Sequence, residues 1–202
     1  GIKVLHGVDV SICRGETVGI VGESGSGKTT LGRALLRLVD VSAGSIRFDG
    51  RDITRLPEGE MRPLRRRIQM IFQDPMASLN PRHTIRRILS EPLKLHGLAK
   101  TAAETEARVA KMLERVSLPA VCLDRNPHEL SGGQRQRVGI ARAALLEPDF
   151  VLADEIVSGL DVSTQAQILT LLEKLADEMG LTVAFISHDL SVIRRLCRQV
   201  IV

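Results

Sequence analysis

No tryptophan and no tyrosine occur among the 202 residues, and aromatic side chains amount to 2% of the chain. A surface that holds single-stranded nucleic acid by stacking needs such rings, so that platform is excluded. The three cysteines, Cys13, Cys122 and Cys197, are scattered. Their spacing suits neither a zinc motif nor a disulfide framework, and it fits a reducing, cytosolic compartment. No apolar run approaches the roughly 18 residues of a membrane span, and no signal-peptide pattern opens the chain. Any membrane association is therefore expected through a partner. Charge excess is also small: 28 Lys and Arg against 24 Asp and Glu give +4. Arg62, Arg65, Arg66 and Arg67, followed by Arg82, Arg86 and Arg87, read either as solvated helix faces or as a surface for nucleic acid or an acidic partner. The chain starts with Gly and stops at Val200-Ile201-Val202, inside what reads as a strand. It is expected to be a domain cut from a longer protein, large enough for one substantial core.

What the chain has is a glycine loop. Residues 22–29 read G-E-S-G-S-G-K-T, the pattern G-x-x-x-x-G-K-[ST]. An apolar run, Val18-Gly19-Ile20-Val21, precedes it. Leu31, Ala34, Leu35 and Leu38 follow at helical spacing, so the order is strand, loop, helix. Small residues let successive N–H groups converge on an anion, and the helix start adds its positive field. Lys28 can reach the β- and γ-phosphates, and the Thr29 hydroxyl can hold Mg²⁺. The candidate nucleotide site is Gly22, Glu23, Ser24, Gly25, Ser26, Gly27, Lys28, Thr29 and Thr30.

Along the chain, partial alternation over residues 2–12 at Val8, Val10 and Ile12, and again at Ile46 and Phe48 around Ser45-Arg47, predicts half-buried antiparallel strands. A short apolar strand is expected at 68–72. Residues 74–130 change character, with five prolines and helical periodicity. Val109, Met112, Leu113 and Val116 form a stripe there, preceded by Thr101 and Glu104 as a capping-box pair. Strands return at 150–153 and 182–186, separated by a helix carrying Ile168, Leu171, Leu172 and Leu175 that ends near Gly180.

Further chemistry sits at the ends of these strands. Asp154 and Glu155 close the 150–153 run; Asp154 suits Mg²⁺ and Glu155 suits a general base for the attacking water. His188 follows the 182–186 strand, where a γ-phosphate lies in such folds. Gln73 ends the 68–72 strand and opens the helical stretch, placed to touch Mg²⁺ or water, or simply to cap. His6, His83, His96 and His128 have no such context. The segment 130–137 reads L-S-G-G-Q-R-Q-R. Ser131 is an N-cap there, and Gly132 and Gly133 leave amides bare at a helix start. A second anion site in a chain whose first loop already cradles the nucleotide suggests a nucleotide held by another subunit.

Taken together, residues 22–29, Gln73, 130–134, Asp154-Glu155, 158–161 and His188 resemble the nucleotide-binding domain of ABC transporters across nearly the whole chain. The resemblance implies an α/β fold: a P-loop NTPase (RecA-like) core with a mostly parallel sheet, an N-terminal antiparallel β subdomain and an inserted α-helical subdomain. It implies one domain made of 1–73, 74–130 and 131–202. In that family two such domains sandwich two ATP molecules, the phosphate loop of one facing the Ser-Gly-Gly-Gln segment of the other. The resemblance therefore assigns Ser131, Gly132, Gly133 and Gln134 to the partner's ATP and Asp161 to a cross-dimer contact. It assigns Gln73 to Mg²⁺ and water beside Thr29 and Asp154, Glu155 to the base, and Lys28 and His188 to the γ-phosphate.

Within the family, F-Q-D-P at 72–75, S-L-N-P-R at 78–82, D-V-S at 161–163 and Q-A-Q at 165–167 look like the peptide and nickel importer branch. The implied partners are a second ATPase subunit, identical or related, two membrane permease subunits and a periplasmic or lipid-anchored binding protein. The implied location is the cytoplasmic face of the membrane. Ile156 and Gly159 depart from the family's commoner Pro and Ala. No Phe, Tyr or Trp precedes Phe48, so the family's adenine-stacking aromatic has no counterpart in these residues. A soluble repair or chromosome ATPase is the competing reading, but the 58 positions from Gln73 to Ser131 hold no cysteine pair and no long coiled coil. A non-hydrolysing regulatory module is the third, and Glu155 and His188 argue against it.

Overall fold

Five of the apolar runs become one parallel sheet. The computed structural model describes residue 5, residues 7–23 and residues 25–201. Strand β1 (Thr17–Ile20) leads through the glycine loop into helix α1 (Lys28–Leu35). β2 (Arg47–Phe48) and β3 (Arg51–Asp52) pair as a small antiparallel hairpin. Helix α2 (Glu58–Arg67) runs directly into β4 (Ile68–Ile71). Helices α3 (Pro75–Ser78), α4 (Ile85–Leu95) and α5 (Ala102–Arg115) follow, with two 3₁₀ turns at Ala120–Asp124 and Pro127–Glu129. The chain then alternates through α6 (Gly132–Ala144), β5 (Phe150–Asp154), α7 (Val162–Met179), β6 (Thr182–Ile186), α8 (Leu190–Leu196) and β7 (Gln199–Ile201).

The sheet order is β4-β5-β6-β1-β7, and every pairing is parallel. Both faces are covered, which is why these strands read as continuous apolar runs rather than alternating ones. Leu152, Ala184 and Ile186 face one side with Met61, Leu64 and Leu36. Val151, Ala153, Val183 and Phe185 face the other with Val138, Ile168, Leu172 and Ile193. Parallel register aligns the carboxyl ends. Asp154 and Ile20 both pair with Ile186, so the chain leaving β4, β5, β6 and β1 emerges along one edge. In open α/β sheets that edge is where ligands bind.

Several expectations need correction. The helical stripe after the glycine loop was expected to include Leu38; α1 stops at Leu35 and Leu38 is exposed. Gly32 sets the contact instead. A Cβ there would lie 2.6 Å from Leu152 and 2.9 Å from Ile186, so the absence of a side chain seats α1 on β5 and β6. Residues 7–12 join no strand, and Val8 is exposed; residues 2–4 of that expected strand, like His6, lie outside the described residues. Among the described residues the antiparallel pairing is confined to the short hairpin at 47–52. Thr101 caps α5 by accepting from the Glu104 amide at 3.1 Å, but the Glu104 carboxylate accepts from Lys100 rather than closing the box.

Within the arginine cluster, Arg62 and Arg82 are exposed, as a solvated face requires, whereas Arg65, Arg66 and Arg67 are part-buried and bonded to other segments. Arg65 donates to the carbonyls of Leu36 and Arg37, and Arg66 to that of Leu146. Arg67 joins Asp149 at 2.5 Å and Asp49 at 2.8 Å while its guanidinium lies 4.9 Å above the Phe48 ring. These bonds hold the hairpin to the core, and the Arg67 contact keeps the Asp49 carboxyl below its ordinary range. No helix among the described residues is long and apolar enough to cross a membrane.

Candidate active site

The glycine loop ends in a left-handed turn. Gly27 is the N-cap of α1 with φ of 94°, a conformation that a Cβ would strain, so the P-loop pattern needs glycine at this point. The Ser26 amide donates to the Glu23 carbonyl at 3.1 Å, curling the loop. The Lys28 ammonium is buried and donates to the carbonyls of Gly22 at 2.8 Å and Glu23 at 2.7 Å. That places one cation at the mouth of a loop whose helix carries no acidic residue in its first turn, a field suited to an anion. Gly25, Ser26, Thr29 and Thr30 complete the described part; Ser24 lies outside the described residues.

The two carboxylates after Ala153 differ sharply. Asp154 is 3% exposed and accepts from the Thr29 hydroxyl at 3.3 Å. Burial raises its pKa, against the Thr29 hydrogen bond, and the neighbouring Glu155 charge raises it further. Glu155 has left the sheet. Its φ is +45°, the left-handed region, which costs about 1–3 kcal/mol for a non-glycine residue and persists where the surroundings enforce it. Its amide donates to the Ile186 carbonyl at 2.9 Å, and its own carbonyl accepts from the Ser158 amide at 3.0 Å. The turned carboxylate takes the Gln73 amide at 3.1 Å on one oxygen and lies 3.3 Å from His188 Nδ1 on the other. Gln73, Glu155 and His188 therefore meet at the edge where β4, β5 and β6 end.

The donor set suits a hard cation. Among the described residues no three His, Cys, Asp or Glu side chains gather into a metal cage. What the site offers is the Thr29 hydroxyl and the Asp154 carboxylate within hydrogen-bond distance of each other. Mg²⁺ is commonly bound by one or two protein oxygens, with phosphate and water filling the rest of its shell. Gln73 uses its N–H toward Glu155, leaving its carbonyl oxygen as the atom it can offer a cation.

A second cluster is built from two helix starts. Ser131 and Gln134 form a reciprocal capping box, Gln134 N to Ser131 Oγ at 3.2 Å and Ser131 N to Gln134 Oε1 at 2.9 Å. A Cβ on Gly133 would sit 2.7 Å from the Thr164 methyl, so α6 and α7 approach here only through glycine. Asp161 caps α7, accepting from the Thr164 amide at 2.9 Å, and that bond holds its carboxyl below the usual range. Ser131, Gly132, Gly133, Gln134 and Asp161 thus lie together. Among the described residues no hydrogen bond or ion pair joins them to Lys28, Glu155 or His188. A recess of 360 Å³ separates them from Gln73, lined also by Met76, Gln136 and Gly159.

Gln136 lay inside the 130–137 segment, yet the sequence assigned it no role. It is 2% exposed and its Nε2 has no hydrogen-bond partner among the described residues. The signal was present: Gln136 shares the buried α6 face with Ile140 and Ala143, at i+4 and i+7.

The profile of the ABC transporter family matches residues 5–158. The chain belongs to the ABC transporter family. It is 57% identical over 201 residues to a Brucella ovis protein provisionally named a peptide import ATP-binding protein, matching all of this chain and 63% of that one. It is 52% identical over 200 residues to the oligopeptide transport ATP-binding protein AppF of Bacillus subtilis, covering 98% of this chain and 60% of AppF. The chain therefore spans less than two thirds of the length of these ABC relatives. Its fold superposes with a TM-score of 0.86 on the ATP-binding cassette MJ0796, solved as a dimer in a post-hydrolysis state bound to ADP and Pi. That match has 35% identity and covers 95% of this chain and 82% of MJ0796.

Proposed function

We propose that this chain is the ATP-hydrolysing cassette of an importer for peptides or a related solute. The observation that carries the reading is the meeting of Gln73, Glu155 and His188 beside the phosphate loop, on three neighbouring strand ends. Glu155 is the general base: its carboxylate takes a proton as the water oxygen attacks the γ-phosphorus and the bond to the bridging oxygen breaks, giving ADP and phosphate. Gln73 orients the water and fixes the Glu155 carboxylate, while His188 and Lys28 bind γ-phosphate oxygens. Thr29, Asp154 and Gln73 are the residues that would hold Mg²⁺, which neutralises charge on the transferring group. The phosphate loop, with Thr30, takes the remaining phosphates.

The second cluster completes the partner's site. Ser131, Gly132, Gly133 and Gln134 present a helix start to the ATP held by a second cassette, and Asp161 contacts that cassette across the dimer. The dimer sits at the cytoplasmic face of the membrane on two permease subunits served by a substrate-binding protein. The names of the Brucella and Bacillus relatives favour peptides, and the sequence branch leaves nickel as a related solute.

The test uses the full-length protein with Glu155→Gln. ATP binding and ATP-dependent dimerisation should persist while turnover falls about 10²- to 10⁴-fold, the usual contribution of a general base. Near-normal turnover would remove Glu155 from that role. Stimulation by reconstituted permease subunits, and not by DNA, separates the importer from a nucleic-acid ATPase.

A further inference from the structure

Three arginines of α6 each donate to a backbone carbonyl in a different place: Arg135 to Leu130 at 2.5 Å, Arg137 to Val116 at 2.8 Å and Arg142 to Ser78 at 2.6 Å. Arg142 is the one of the three that reaches the segment after Gln73. It is half-buried and no carboxylate pairs with it among the described residues; burial alone pulls its pKa, like that of Arg137, below the ordinary guanidinium value. A partly dehydrated cation satisfied by a carbonyl is held tightly where that carbonyl is.

Ser78 closes a stiff unit. Asp74 caps α3 by accepting from the Met76 amide at 2.8 Å, the Ser78 hydroxyl donates to Pro75 at 3.1 Å, and the Leu79 amide donates to Pro75 at 2.9 Å. Leu79 is 2% exposed, anchored in the core. This unit begins one residue after Gln73, whose amide meets Glu155. The helix that holds Ser78 is the one that starts at Ser131, so α6 carries the second cluster at one end and grips the Gln73 segment near the other.

We infer that Arg142 is a positioning residue for Gln73: by clamping the Ser78 carbonyl to α6, it fixes where the Gln73 amide meets the Glu155 carboxylate. Arg142 acts through α3 and touches none of Lys28, Glu155 or His188. The inference rests on the ATPase reading above. It also gives a physical link between the strand-end site at Gln73 and the helix-start cluster at Ser131, because a tilt of α6 moves the Ser78 carbonyl with it.

The experiment measures kcat, KM for ATP and thermal midpoint in the full-length protein with Arg142→Met, Arg142→Lys, Gln73→Ala and the Gln73→Ala/Arg142→Met pair. Arg142→Met removes the donor while keeping an unbranched apolar stem. It should lower kcat about tenfold with KM little changed. Arg142→Lys should recover part of the loss, since one donor serves one carbonyl. In the Gln73→Ala background, Arg142→Met should cost less than about twofold, because the residue it positions is gone. A tenfold loss in both backgrounds, tracking the thermal midpoint, makes Arg142 merely structural and overturns the inference. If Arg142→Met does not fold, Arg142→Lys in the same two backgrounds supplies the cycle. Absence of hydrolysis in the unsubstituted protein overturns the ATPase reading; hydrolysis with an additive cycle overturns the inference alone.

Discussion

Gly133→Ala isolates two reasons for glycine at one place. The added Cβ would stand 2.7 Å from the Thr164 methyl, 0.7 Å inside the 3.4 Å at which ordinary contact begins. That methyl is attached directly to a branch point in the first turn of α7, so it cannot swing away as a longer side chain would. Overpacking of this size costs about 1–3 kcal/mol. Alanine returns up to about 1 kcal/mol of helix propensity relative to glycine. With the full alanine gain the net loss is about 0–2 kcal/mol, which at about 2–4 °C per kcal/mol lowers the thermal midpoint by up to roughly 8 °C. Thr164→Ser deletes the obstructing methyl and keeps the hydroxyl. The double variant should therefore recover most of the midpoint, giving a coupling energy of about 1 kcal/mol by scanning calorimetry. Strictly additive variants, with no coupling between positions 133 and 164, would refute the packing argument. Turnover separates the second reason. If the double variant regains stability and not hydrolysis, glycine is also needed for the close approach of the partner's nucleotide.

Two other substitutions test buried polar groups. Burial raises the Asp154 carboxyl above 3.8, so its ionised form works against folding; that penalty is absent below the unfolded pKa and grows as pH rises through the folded one. Asp154→Asn should therefore melt above the unsubstituted protein near neutral pH, lose that advantage as pH is lowered toward about 4, and hydrolyse ATP poorly; thermal midpoints across pH check the sign. Gln136→Met keeps the volume and removes an unpaired buried amide, so the midpoint should rise by about 2–4 °C for a gain of about 1 kcal/mol. A clear fall would mean that Nε2 has an acceptor in solution.

The local features were legible because their causes are local. A strand, a glycine loop and a helix start read directly from 18–29, as did the caps at Thr101 and Ser131, which depend on residues within a turn. What was not legible depends on sheet order. Gln73 and Glu155 are 82 positions apart in the chain, and only the placement of β5 between β4 and β6 makes them hydrogen-bond partners and brings His188 alongside. No spacing rule contains that information; here it came from the family resemblance. The arginines at 65–67 misled for a related reason. Their charge suggested solvent, but their bonds go to carbonyls and carboxylates of distant segments. Leu38 misled because helical spacing was extended past the point where α1 ends.

Asp154 and Glu155 are consecutive, and the backbone between them decides their chemistry. Side chains alternate across a strand, so a β-conformation at Glu155 would aim its carboxylate to the opposite sheet face, the side covered by α6 and α7. The left-handed φ of 45° breaks that alternation and takes the chain out of the sheet. One carboxylate is left dry against α1, with a hydroxyl at 3.3 Å, where burial works against its ionised form. The other has a side chain 20% exposed between an amide donor and an imidazole, reachable by water yet held in direction by two neighbours. A metal ligand wants the first environment and a general base the second. A backbone strain of about 1–3 kcal/mol at one residue thus gives two identical functional groups the two environments that the proposed roles require.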